Sequence, residues 1–275
     1  MKRRIEISAA LWLLWWSTGL GLWAAPAGES LDYHLNKKYL QRAVFDLGEI
    51  GRSPFKWRKS DWLKVALVSG AGLVCYLGDQ KVHDWLEENK TSTSSDLSRV
   101  VSYLGHGGVI LAGAGSGYLL GEITDNRTVR KISLLSLESW LASGFVVNLL
   151  KFLVGRERPY VSHDARQFHP FSFKSGDHAW PSGHASSAFA VAAVIAAEVD
   201  NGVVDGVVYS LASLVAFSRV HDEYHWLSDV FMGSVLGYVI GHKIAALHAD
   251  EDQPRFAWGV TVSPQKTAFT LTLFF

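Results

Sequence analysis

The sequence lacks the residues that several protein classes depend on. It holds one cysteine, Cys75, so no intrachain disulfide can form and a cysteine-based structural zinc site is excluded. It has no surplus of either charge, with 26 Lys and Arg against 26 Asp and Glu. A polyelectrolyte binder carries a basic excess, so nucleic acid is a poor partner for this chain. No repeat of fixed period is evident. The chain is not short of apolar residues: they make up 48% of its 275 positions, which excludes global disorder and suffices for a large core. Yet its mean hydropathy is only +0.11, modest for a chain that crosses a bilayer many times.

The N-terminus reads as a targeting segment. Lys2, Arg3 and Arg4 precede an apolar stretch from Ile7 to Ala25, and Ala25-Pro26-Ala27 follows the small-x-small pattern of a signal peptidase site. Residues 1–27 are therefore read as a leader cleaved after Ala27, or as an uncleaved anchor, and the rest of the chain as exported. Residues 28–61 form a polar stretch, helical from Leu35 to Phe45 and broken at Gly48, Gly51 and Pro54.

Apolar segments follow at Trp62–Leu77, Val100–Leu120, Ile132–Val154, Ala185–Val199, Val203–Val220 and Asp229–Leu247. Each is too long for an ordinary strand and most are rich in Ala and Leu, which predicts helices. Several are apolar almost all round, as in a large core or in lipid. Thr91 to Asp96 reads as a loop leading into a helix start. The tail, residues 257–275, alternates with period two on either side of Ser263-Pro264-Gln265-Lys266, which predicts a short hairpin. The fold class is thus all-α: a bundle of about six core helices over residues 62–249 with a C-terminal β-hairpin.

Three polar islands interrupt the apolar pattern. Lys151-Phe-Leu-Val-Gly-Arg-Glu-Arg158-Pro159 ends one helix, and Trp180-Pro181-Ser182-Gly183-His184 starts the next. Ser218-Arg219-Val-His-Asp-Glu-Tyr-His225-Trp-Leu-Ser-Asp229 joins the last two. Pro181 suits a first helical turn, and Ser182 and Gly183 can present unpaired backbone N–H groups to an anion. Lys151 supplies a point charge, while Arg158 and Arg219 supply planar forks that grip two oxygens each. Fixed cations around one site repel one another without an anion. The alternative is surface pairing of these arginines with Glu157, Asp222 or Glu223. His225 and Asp229 are four apart and share a helical face, so the carboxylate can hold one ring nitrogen and direct the other at a substrate. His184, beside the Ser-Gly nest, can donate a proton to a leaving oxygen.

These islands resemble the signature of the type 2 phosphatidic acid phosphatase (PAP2) superfamily, which includes bacterial acid phosphatases and vanadate-dependent haloperoxidases. The family pattern is K-x6-R-P, then P-S-G-H, then S-R-x5-H-x3-D, and all three occur here in order between Lys151 and Asp229. The resemblance implies that Lys151, Arg158 and Arg219 bind phosphate oxygens with Ser182 and the Gly183 N–H. It implies that His225 attacks phosphorus to form a phosphohistidine, that Asp229 orients His225, and that His184 protonates the leaving group and then activates water. It implies no metal or other cofactor, since the cations stabilise the charge. His163, His178 and His221 are assigned solvent or supporting roles. The aromatic loop from Tyr160 to Trp180 is expected to run close to the site, where its rings could meet a lipid chain.

The substrate implied is a lipid phosphate, an isoprenyl pyrophosphate or a small phosphate ester. The alternatives are a vanadate-dependent haloperoxidase and a catalytically silent envelope protein of the same fold.

Placement is contested within the sequence itself. Six spans with basic residues Lys37, Lys38, Arg42, Lys56, Arg58, Lys59, Arg127, Arg130 and Lys131 on one side, and an acidic loop at 79–99 on the other, put the catalytic side outside. A cleaved leader followed by six spans would put it inside. A soluble periplasmic helical domain, free or lying on a membrane surface, removes the conflict. It is also favoured by the low hydropathy, the short stretch Ala185–Ala197 and internal polar groups such as His106, Glu138 and Asn148.

Overall fold

The computed structural model describes residues 31–249 and the strand backbones 255–263 and 266–274; the expected leader lies outside them. Eight α-helices make up the body. They are α1 (Lys37–Arg52), α2 (Lys59–Asn89), α3 (Ser92–Ser102), α4 (Gly107–Ile123), α5 (Arg127–Val154), α6 (Gly183–Val199), α7 (Gly202–His221) and α8 (Leu227–Ala249). Strands β1 (Arg255–Ser263) and β2 (Lys266–Phe274) pair antiparallel, Arg255 opposite Phe274.

Helix starts follow local capping chemistry. Asn36, Asn126 and Asn201 accept backbone N–H bonds as N-caps of α1, α5 and α7, and Thr91 and Ser94 form a reciprocal capping box on α3. Two sequence expectations fail. Gly48 and Gly51 do not break α1, which runs on to Arg52 because nothing in the surroundings forces either glycine out of the helix. Val100–Leu120 is not one helix: a 3-10 turn at Tyr103–Gly105 separates α3 from α4. A Cβ on Gly105 would stand 2.5 Å from Val215 and 3.0 Å from the His184 carbonyl, so the chain turns where only glycine fits.

From α4 onward successive helices run antiparallel, so the C-terminal ends of α5 and α7 meet the N-terminal ends of α6 and α8. The α6–α8 contact is set by glycine. Gly233, Gly237 and Gly241 lie on one stripe of α8, and a Cβ on each would stand 2.4, 2.1 and 2.3 Å from the carbonyl oxygens of Ser182, Ser186 and Ala190 on α6. The two backbones can approach this closely only without side chains between them. The residues opening α6 are thereby held against the first turns of α8, and Ser182 N–H donates to the Asp229 carbonyl at 2.9 Å.

At the opposite end, α1 closes the bundle. Tyr39, Leu134, Leu135, Ile240 and Ile244 pack together there, with Tyr39 Oη donating to Glu138 and His248 Nε2 lying 2.9 Å from Asp46. The internal Glu138 thus accepts from Tyr39 through Oε2 inside the bundle and does not argue for a water-surrounded domain.

The outer faces point to lipid. Trp62, Leu63, Leu67, Val74 and Leu77 on α2, Leu141 and Phe145 on α5, and Val203, Leu211, Leu214 and Phe217 on α7 are all exposed. Four helices, α2, α5, α7 and α8, are long and apolar enough to cross a membrane, and none of the apolar window of α2 is buried within the protein. At 1.5 Å per residue α2 spans about 46 Å, against a hydrocarbon core of about 30 Å. Such faces are costly in water, so the protein is membrane-associated.

Candidate active site

The three polar islands converge at one end of the bundle, and local backbone chemistry explains how. Helix α5 ends at Gly155, whose φ of +62° turns the chain sharply; a Cβ there would stand 1.7 Å from the His169 carbonyl. The residues that follow are tied down by backbone bonds: Glu157 N–H to Gln167, Arg158 N–H to Gly176, and the Ala179 N–H back to Arg156. Ser182 is the N-cap residue of α6, so Pro181 sits before the helix rather than in its first turn. After α7, the N–H groups of Tyr224 and His225 both donate to the Arg219 carbonyl at 3.1 Å, folding His225 back beside Arg219.

This geometry makes a cationic cradle. Lys151, Ser182, Arg219 and His225 are buried, with Arg158 and His184 half-buried. Lys151 Nζ donates to the His178 carbonyl at 2.5 Å, and Arg158 reaches the same oxygen at 3.4 Å. The Arg219 guanidinium lies 4.2 Å from the Tyr224 ring centroid and only marginally, at 4.0 Å, from Asp222. Glu157 pairs with His169 and Glu223 with Lys90, so surface pairing does not consume the arginines. Among the described residues, Arg158 Nε, Arg219 Nε, Ser182 Oγ and His225 Nδ1 are buried without a hydrogen-bond partner. Buried polar groups left open are costly unless a ligand satisfies them.

His225 sits in the turn between α7 and α8. Burial first, then the charges of Lys151, Arg158 and Arg219, holds its imidazole well below the usual histidine range. It is therefore neutral at neutral pH. His184 lies within electrostatic reach of the same three cations, its ring 6.1 Å from that of His106.

The expected His225–Asp229 pair requires correction in detail. They do not share a helical face, because His225 lies in the turn before α8 and Asp229 in its first turn; their side chains still approach, but Nδ1 lies 3.7 Å from Oδ2, beyond a hydrogen bond. The Asp229 carboxylate is held instead by the Trp226 N–H at 2.8 Å and by Arg156 Nη1 at 2.6 Å. Arg156 also donates to Ser228 Oγ and to Asp79 Oδ2, each at 2.7 Å, and to the Ala165 carbonyl. Asp79 in turn accepts the Ser228 N–H at 2.8 Å. Behind His225 there is thus a fully buried carboxylate–guanidinium–carboxylate chain, Asp79–Arg156–Asp229.

Sequence reading missed Arg156 and Asp79. Arg156 stands inside the first island, one position from Glu157 and two from Arg158, so its separate role was masked. Asp79 is not in an acidic loop: it lies on α2 with Asp84, Glu87 and Glu88. The signal for it was weak, because Asp79 opens the charged run Asp79-Gln80-Lys81-Val82-His83-Asp84 that ends the apolar stretch and so reads as part of a solvated segment.

The other histidines fall around this core. His221 bridges Asp222 and Ser94, fixing α7 to α3. His178 Nε2 pairs with the Ser172 carbonyl while its own carbonyl receives Lys151 and Arg158. His163 faces His83 of α2. In the aromatic loop, Phe171 and Phe173 pack on Phe152 and Phe168 lies near Tyr76.

Residues 133–252 match the sequence model of the PAP2 superfamily. Over that stretch the chain is similar to the PAP2 superfamily. No curated protein sequence matches it. Among solved structures, the fold is similar to a transmembrane PAP2-type phosphatidylglycerolphosphate phosphatase from Bacillus subtilis. The TM-score is 0.53 at 18% identity, over 68% of this chain and 96% of that one. Aquifex aeolicus LpxE gives a TM-score of 0.48 at 19% identity, over 61% of this chain and 94% of that one. The matched PAP2 region covers α5 from residue 133 through α8 and contains all three islands. It does not contain Asp79, so the buried chain behind His225 joins the matched region to α2.

Proposed function

We propose that this protein is a membrane-embedded phosphatase acting on a lipid phosphate or pyrophosphate through a phosphohistidine. The observation that carries this reading is the set of unpartnered buried donors on Arg158, Arg219 and Ser182, set beside a neutral His225. Three oxygens of a phosphoryl group satisfy them. With Nδ1 turned toward Asp229, Nε2 is the nitrogen left to attack phosphorus.

In the first step the new N–P bond forms as the P–O bond to the leaving group breaks. Burial and the neighbouring cations hold the His184 pKa down to about 4, so it takes up a proton as the bound phosphate offsets those cations, and gives that proton to the departing oxygen. In the second step His184 takes a proton from water, whose oxygen attacks phosphorus and breaks the N–P bond. Lys151, Arg158 and Arg219 hold the negative charge that grows on the equatorial oxygens in both steps. Asp229 keeps the imidazole orientation and stabilises its positive charge in the transition state, itself fixed by Arg156.

Two features favour a lipid. The cradle lies at one end of a bundle with apolar outer faces, and that end carries the exposed Phe168, Phe171 and Phe173. The far end carries Lys37, Lys38, Lys56, Arg58 and Lys59, which by the positive-inside rule supports a catalytic end facing away from the cytoplasm.

The test is phosphate release by the purified full chain in detergent. Phosphatidic acid, an isoprenyl pyrophosphate and a soluble monoester are offered, with and without vanadate. Release from the lipids, inhibited by vanadate and abolished in His225→Ala, is expected. Faster release from the soluble ester would overturn the lipid assignment. Vanadate-supported bromide oxidation without phosphate release would replace the phosphatase reading by a haloperoxidase one.

A further inference from the structure

We propose a divalent-cation site, suited to Zn²⁺, formed by His83 and Glu87 of α2 and His163 of the loop between α5 and α6. It lies outside the phosphate cradle and uses none of its residues. His83 Nε2 stands 3.5 Å from His163 Nδ1 and 3.9 Å from Glu87 Oε2, and one ligand atom from each residue falls within a 4.8 Å group. Zinc–nitrogen bonds of about 2.0–2.1 Å at tetrahedral angles put neighbouring ligand atoms about 3.4 Å apart. The observed spacing is therefore close to that of ligands around one ion. Two histidine nitrogens and a carboxylate oxygen form a borderline donor set that favours Zn²⁺ over Mg²⁺, with water completing the shell.

The surroundings suit a site that is both fixed and accessible. His83 is buried, its ring edge-on to Trp226 at 5.2 Å, which limits its rotation. Its spacing of four from Glu87 sets both on one face of α2. Glu87 and His163 are exposed, so an ion can enter from water. A fully buried group of the same residue types, Asp46, Glu138 and His248, already has polar partners, with His248 against Asp46 and Tyr39 donating to Glu138.

The site has a route to the chemistry. His163 is two residues before Ala165, whose N–H donates to Gln80 of α2 and whose carbonyl accepts Arg156 Nε and Nη2. An ion joining His163 to α2 would hold that carbonyl in place, and with it Arg156 against Asp229. The cation is thus a structural regulator of the buried chain behind His225. The binding claim stands by itself; the effect on rate rests on the phosphatase reading above.

The test uses the full chain in detergent, freed of metal and of any affinity tag, titrated with Co²⁺ as a spectroscopic stand-in and with Zn²⁺ in competition. One equivalent of Co²⁺ is expected to give the visible absorption of a four-coordinate ion, displaced by Zn²⁺. His163→Ala should lose the band, and Glu87→Gln should weaken binding at least tenfold. Wild-type phosphate release should fall severalfold on chelation and recover with Zn²⁺, while His163→Ala stays at the chelated rate throughout. An unchanged cobalt spectrum in both His163→Ala and Glu87→Gln would overturn the proposal, as would no stoichiometric binding to wild type. A His163-dependent cobalt band in a protein that releases no phosphate would uphold the site and overturn the phosphatase reading instead.

Discussion

Arg156 Nη1 donates to Asp229 Oδ1 at 2.6 Å, with both side chains essentially sealed from solvent. The guanidinium serves two buried carboxylates at once, since Asp79 takes its other terminal nitrogen. Removing it would leave two buried carboxylates without their countercharge. Loss of one partner from such a buried pair costs about 3–5 kcal/mol. Arg156→Ala should therefore unfold at markedly lower temperature. Arg156→Lys keeps the charge but not the fork, so it should fold and lose at least tenfold in kcat with little change in vanadate affinity. Equal loss in kcat and vanadate binding would show that Arg156 belongs to the cradle rather than behind it.

The acid limb of the rate profile should report His225. Its pKa is lowered in the fold, so the neutral, attacking form persists below the ordinary value of 6.5. The acid limb of kcat/KM in wild type is expected below pH 6.5. Replacing Arg219 by Gln removes one of the charges that hold the pKa down and should move that limb upward. Linkage gives a second sign: below pH 6.5 the unfolded chain binds this proton more readily than the folded one, so stability falls on acidification. Thermal unfolding followed from pH 7.5 to 5 tests it, with His225→Gln showing a shallower decline.

In the proposed mechanism Lys151 and Arg219 act on the same phosphoryl group by different geometry. Lys151→Ala should lower kcat about 10²–10³-fold, the usual loss when one charge-stabilising donor is removed. Arg219→Lys should also be poorly active, because a point charge does not reproduce a fork stacked on Tyr224. Steady-state phosphate release and vanadate inhibition constants check both, and near-wild-type values for Arg219→Lys would remove the bidentate role.

The glycine stripe of α8 predicts a stability effect far from any substrate contact. A Cβ on Gly237 would meet the Ser186 carbonyl at 2.1 Å, whereas one on Gly113 of α4 meets nothing within 4 Å. Gly237→Ala should destabilise by about 1–3 kcal/mol, as overpacking of close contacts does. It should also reduce kcat, because Ser182 and Asp229 are joined across the same helix pair. Gly113→Ala should leave both unchanged. Thermal unfolding and phosphate release on the two variants separate the cases.

The helices were legible because hydrophobic run length acts locally, and Thr91 marks the approach to a helix start that needs only its own neighbours. The break between α3 and α4 was not, because it exists to let Gly105 pass Val215 and His184, which are distant in sequence. Likewise Gly48 and Gly51 read as breakers by propensity, but a helix docked by tertiary packing tolerates them.

By itself the sequence marked the candidate cradle, Lys151, Arg158, Ser182, His184, Arg219 and His225, because these residues stand at or beside helix ends, where residue type and spacing dictate charge and open N–H groups. Only the tertiary structure decided what stands behind the cradle. Asp79 is 77 positions from Arg156 and 150 from Asp229, and no local pattern ties such a carboxylate to a guanidinium. They meet because the glycine stripe draws α8 onto α6 and the turn at Gly155 swings Arg156 inward. Burial then requires every charge so enclosed to find a partner.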